Sequence, residues 1–281
     1  MPFFKRSSRE PGFDPTFRFA TSWILPPAVL FFIRAALSLY AFTTLFFILA
    51  WRSVTGGDGG KTEARHSFSY FTVLTYWGLA FYYAFAAAHT LSYWRTGTPL
   101  LARWPRALKE AHSVYYSTIV IYPFIVTAVF WALLAPEDGF PSIFETWTNT
   151  SQHAMNAAYA LFEIIFPRTE PLPFWHLIPV VILLAMYLGL AYVTYYTQGF
   201  YVYSFLDLQK NSRGIVAAYI VGILVAAIIV FLIVKYVIML RVWVTEKKMG
   251  KMGKRSARDV KRRHVDEEGG THYPLHSVNF K

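Results

Sequence analysis

The chain has no cysteine. That excludes a disulfide framework, a thiolate zinc site, an iron–sulfur cluster and a cysteine nucleophile. Charge is scarce as well: 15% of residues are Asp, Glu, Lys or Arg, where soluble domains carry about a quarter. In its place stand 55% apolar and 19% aromatic residues, the apolar ones gathered in long runs. This balance excludes a disordered chain, a collagen, a coiled coil and an ordinary water-soluble domain. What remains is an all-α, polytopic membrane bundle.

Roughly 20 apolar residues carry a helix across the hydrocarbon core. Six stretches meet that need: Pro27–Trp51, Phe68–Trp94, Val114–Ala135, Gln152–Phe166, Trp175–Tyr196 and Ile215–Trp243. The fourth is short and opens on Gln152, His153 and Asn156, so five spans plus a re-entrant or interfacial helix is the alternative. With six, one face of the membrane holds twenty basic residues, counting Arg241 at the end of the last span, and the other five, which sets both termini in the cytoplasm. Arg34 and Lys235 then sit near cytoplasmic span ends, where each is expected to snorkel. Residues 1–26 form a cytoplasmic segment and 27–243 the transmembrane domain. The tail 244–281, basic between Lys247 and Arg263, lacks an apolar face and is expected to be disordered. The formal net charge of +11 thus reads as topology and attraction to anionic lipid rather than as a nucleic-acid interface. The glycine-rich Thr55–Lys61 stretch reads as a flexible loop, and there is no internal repeat.

Histidines 66, 89, 112, 153 and 176 lie in or beside spans, but none shows the clustered spacing of a di-iron site, and no pair is dictated as haem ligands. Sidedness is more informative. In the expected orientation Thr72 lies about one turn inside the non-cytoplasmic boundary of the second span. His153 opens the fourth span from the same face, and Asn149 just precedes it. A hydroxyl beside an imidazole is what nucleophilic acyl transfer requires, since an alcohol is inert at neutral pH until a base takes its proton. Thr75, one turn on, is the obvious confounder. The bland alternatives are a threonine bonded back to its own helix and a histidine at a helix end.

From these residues the chain resembles the family of the androgen-induced protein and the androgen-dependent TFPI-regulating protein, multi-span threonine hydrolases of fatty acid esters of hydroxy fatty acids. Ser69-Tyr-Phe-Thr72-Val-Leu is similar to the family's nucleophile stretch, and Asn149-Thr-Ser-Gln-His153 to its Asn-His-x-x-His segment. Glu163 matches an acidic residue ten positions on. Pro123–Trp131 resembles a span ending in Phe-Trp, and Gly199–Asp207 resembles a Gly-x-Trp-Val-Tyr-Pro-Phe-Leu-acid motif. The likeness runs from about Ser67 to Asp207. Departures are Thr150 for the family's first histidine, Tyr195-Tyr196 for a His-His pair, and Ser204 for a proline.

The resemblance implies that Thr72 is the nucleophile and His153 the general base and acid. Asn149, Tyr76 and Tyr203 are site-lining or oxyanion candidates. Glu163 lies ten helical residues, or about 15 Å, from His153, too far to orient it, and reads as a buried acid paired with a base. No cofactor or metal is implied. The expected partners are the bilayer and a lipid ester, in the endoplasmic reticulum or plasma membrane. Asn149-Thr-Ser151 is a glycosylation sequon on the non-cytoplasmic side, whose closeness to the membrane argues against occupancy. The alternative function is a non-catalytic lipid-binding or signalling protein. A transporter would show broken-helix pairs or internal symmetry, and neither is legible.

Overall fold

The structure, a computed structural model, describes residues 13–56 and 60–253. The amino-terminal residues 1–12, the centre of the glycine-rich stretch and the tail 254–281, including most of the segment expected to be disordered, lie outside the described residues. All regular elements among those described are helical. They are α1 (Pro27–Thr55), α2 (Gly60–His66), α3 (Phe71–Thr96), α4 (Arg106–Val129), α5 (Ile143–Thr150), α6 (Asn156–Ile165), α7 (Leu177–Gln198) and α8 (Arg213–Val242). Five stretches are long and apolar enough to cross a membrane: Pro27–Thr55, Phe71–Thr96, Arg106–Leu134, Phe174–Gln198 and Arg213–Lys248.

The expected fourth span is not among these five. Residues 143–165 are helical throughout, but a π turn at Ser151–Met155 separates α5 from α6. The segment also starts earlier than its hydropathy suggested, because Ser142 caps α5 by accepting the Glu145 N–H. A serine cap and a polar first turn are legible only as a loop to a hydropathy window.

The long helix α1 packs along α3, while α4 touches α3, α6, α7 and α8 and so forms the centre of the bundle. Tyrosines dominate the core: Tyr76, Tyr82, Tyr83, Tyr116 and Tyr159 are all essentially buried. Their hydroxyls stitch helix to helix. Tyr83 donates to the Tyr159 carbonyl at 2.6 Å, Tyr159 to that of Leu37 at 3.0 Å, and Tyr122 to that of Val180 at 2.8 Å. In a bundle with little hydrophobic drive between helices, such bonds and close packing supply the association.

Of the two cations expected near span ends, Arg34 departs from expectation. Arg34 does not snorkel: it is fully buried and bonds both oxygens of Glu163 at 2.8 and 2.7 Å, with further bonds to the Phe19 carbonyl and the Thr90 hydroxyl. A guanidinium satisfied on every side gains nothing by reaching for the interface. Lys235, half-buried, donates to the Leu172 carbonyl at 2.6 Å and lies over the Phe174 ring. The described part of the expected loop after α1 is also ordered, since α2 folds back on the end of α1. A Cβ on Gly60 would overlap the Arg52 carbonyl there, so glycine is what permits the turn. The tail keeps a helical turn to Lys248 because Glu246 is gripped by Arg18 at 2.6 and 2.9 Å and faces Arg168 at 3.6 Å.

Candidate active site

Tyr70 is extended (φ −87°, ψ 132°), and α3 starts at the next residue. The first turn of any α-helix leaves N–H groups without an intrahelical acceptor. Here the hydroxyl of Tyr203, from the α7–α8 connection, accepts the Phe71 N–H at 3.2 Å. The same hydroxyl lies beside the Thr72 side chain, and burial holds its pKa above the ordinary phenol value. It therefore remains a protonated donor at neutral pH. Tyr187 completes the support by donating to the Ser69 carbonyl at 3.0 Å.

Thr72 occupies the second position of α3 and is mostly buried. Unlike Thr75, Thr90 and Thr197, it makes no back-bond to its own helix among the described residues. Thr75 donates to the carbonyls of Phe71 and Thr72 and faces a separate groove with Tyr115 and Tyr122. The confounder is thus occupied and turned away.

His153 sits within the π turn of residues 151–155. Such turns displace side chains from the regular helical register and recur at functional sites. Its ring stacks face to face on Phe130, with centroids 3.6 Å apart and planes 5° from parallel. Phe130 itself opens a second π turn, Phe130–Leu134, at the end of α4. The adjacent Trp131 indole donates to the His153 carbonyl at 3.3 Å. Among the described residues the imidazole Nδ1 is buried without a hydrogen-bond partner, and aromatic packing rather than a carboxylate orients the ring.

Thr72 and His153 line one cleft of about 840 Å³, together with Tyr70, Gln152, Asn149 and Tyr203. No direct hydrogen bond joins the two among the described residues. On its other side Thr72 borders an apolar cavity of about 190 Å³ between α3, α4, α7 and α8, walled by Ile125, Leu184, Leu188 and Leu224. Thr72, Phe130, Leu134 and Tyr203 belong to both spaces. A hydroxyl thus stands where an apolar compartment meets a polar cleft. Bound ligands tighten contacts that stand open in an empty site.

The other expected residues divide. Asn149 lines the cleft, half-buried, with its amide donating to the Glu145 carbonyl of its own helix at 2.9 Å. Tyr76 lies one turn deeper, 1% exposed, beside Thr44 and Tyr159, and does not line the cleft. That depth is filled by α1 and α6, which close over it. Glu163 is occupied by Arg34. Gln152, legible in the sequence only as a polar residue opening a weak span, lines the cleft wall and is largely buried.

Two further histidine arrangements lie elsewhere. His89 and His112 have ring centroids 5.1 Å apart beside Trp104, and Ser117 meets His176 Nδ1 at 2.6 Å. The latter resembles a nucleophile–base pair, but neither residue borders the two cavities that meet at Thr72. No group of three or more potential metal ligands occurs among the described residues. Comparison of the chain with protein-family models, curated proteins and solved structures gives no match.

Proposed function

We propose that this protein is an integral-membrane lipid ester hydrolase using an acyl-threonine intermediate, with six spans and both termini in the cytoplasm. The carrying observation is that Thr72, free of a back-bond, faces the same cleft as His153 while bordering an apolar cavity. The motif resemblance, and with it fatty acid esters of hydroxy fatty acids as substrate, points the same way. An acyl chain would occupy the apolar cavity and the alcohol portion the cleft. His153 takes the Thr72 proton as Oγ bonds to the ester carbonyl carbon. Collapse breaks the ester C–O bond, and His153 returns the proton to the leaving alkoxide. Water then adds to the acyl-threonine with His153 again as base, releasing the acid and restoring Thr72.

The test compares detergent-purified wild type with T72A, T75A and H153A for hydrolysis of a branched fatty acid ester and for fluorophosphonate labelling. The expected pattern is activity and labelling lost in T72A, activity lost in H153A, and both retained in T75A. A well-folded wild type that neither labels nor hydrolyses a broad ester panel would instead indicate the non-catalytic lipid-binding protein.

A further inference from the structure

Acyl transfer at Thr72 requires something the Thr–His pair does not provide. When Oγ adds to the carbonyl, the π electrons move to oxygen, and that charge needs preorganised donors. In the first turn of α3, Leu74 is the first amide to bond back, to the Tyr70 carbonyl at 3.1 Å. The Phe71 amide is taken by Tyr203. The amides of Thr72 and Val73 have no intrahelical acceptor, and both residues line the cleft. They carry the positive end of the helix dipole, which favours an anion at that point.

A second observation is independent of the helix end. Gln152 is only 8% exposed, yet its carboxamide makes no hydrogen bond among the described residues. It lines the same cleft and is adjacent in sequence to His153. The Gln152 polar atoms are not among the buried unpartnered ones, so the carboxamide opens to the cleft and is free to donate to a group bound there. The neighbouring polar groups are engaged elsewhere: Asn149 holds the Glu145 carbonyl, and Ser151 is bonded to Tyr40 at 2.8 Å.

We infer that the Gln152 side-chain amide, together with the backbone amides of Thr72 and Val73, forms the oxyanion hole of this site. The inference rests on the hydrolase reading above. It makes Gln152 a catalytic residue whose bond is made to the tetrahedral intermediate rather than to the ground-state ester. The two backbone donors are fixed before substrate arrives by the start of α3, and the π turn that presents His153 also places the Gln152 backbone beside it. During collapse the electron pair returns to the carbonyl as the alcohol leaves, so the donors take and release no proton.

The experiment measures kcat and KM for a branched fatty acid ester in wild type, Q152A, Q152M and Q152E. Two probes accompany it: a fatty trifluoromethyl ketone, which adds Thr72 Oγ and bears an oxyanion, and a non-hydrolysable ether analogue of the substrate. The expected result is a fall in kcat of about a hundred- to a thousand-fold. KM and ether affinity should stay near wild type, and ketone affinity should fall in step with the rate. Wild-type rates in all three variants would overturn the inference while leaving the Thr72 hydrolase intact. Equal loss of ether and ketone affinity would also overturn it, by showing that Gln152 merely holds the cleft in shape. A folded wild type that neither hydrolyses the ester nor labels at Thr72 would overturn the inference and the hydrolase reading together.

Discussion

Phe130 is the residue on which His153 rests. A flat ring against a flat ring restricts the imidazole to one plane, and aromatic pairs of this kind contribute about 0.5–1.5 kcal/mol beyond their buried area. With Nδ1 lacking a partner, no carboxylate supplies the orientation found in Ser-His-Asp sites. F130L retains an apolar side chain and loses the plane. In the hydrolase reading it should lower kcat about three- to tenfold, with KM nearly unchanged, as checked by steady-state kinetics on the detergent-purified variant. Equal kcat in F130L would show that other contacts orient the ring. Residue type was informative here only where chemistry is unusual: Thr72 and His153 could be singled out, whereas Gln152 looked like a polar residue at a weak span's start. Its isolation from hydrogen-bond partners is a property of neighbours, not of spacing.

Single pairs also join whole elements. Arg34 on α1 and Glu163 on α6 are 129 residues apart in sequence and bonded through both carboxylate oxygens. Removing one partner of such a buried pair leaves an uncompensated charge and costs about 3–5 kcal/mol, whereas replacing both by apolar groups can be nearly neutral. R34M and E163Q should therefore each lower the thermal unfolding temperature in detergent markedly, and R34M/E163M should regain much of the loss. A double variant as unstable as the sum of the singles would mean that the Phe19 and Thr90 contacts, rather than the ion pair, hold this junction. Among elements, the five apolar helices were legible because a window of uniform hydropathy needs no partner. The π turn at 151–155 was not, because its register depends on Phe130 and Trp131 packing from α4.

At the scale of the molecule, charge distribution predicts topology, and the absence of cysteine makes the prediction simple to check. Single-cysteine variants A107C, in the first turn of α4, and D138C, after α4, lie at exposed positions. In sealed vesicles of known orientation, A107C should react with an impermeant maleimide from the cytoplasmic face and D138C from the opposite face. The reverse pattern would invert the proposed sidedness of Thr72 and His153. One end of the bundle is organised by contacts invisible to hydropathy. Arg18 from the amino-terminal segment, Arg168 from the α6–α7 connection and Glu246 after α8 converge there, tying the two ends of the described chain to the bundle.

Composition and hydropathy by themselves determined that this is a helical protein with helices long and apolar enough to cross a membrane, and the basic residues defined its expected orientation. These are local or summed properties, fixed by the cost of placing backbone and charge in hydrocarbon. Only the tertiary structure decided that Thr72 turns toward the His153 cleft while Thr75 is bonded back and faces another groove. It likewise set Tyr203 rather than Tyr76 at the site, and bound Arg34 to Glu163 instead of leaving it at the interface. Each outcome depends on the rotation and depth of one helix against others far away in sequence. That arrangement is selected by packing and hydrogen-bond satisfaction, for which no local pattern is a substitute.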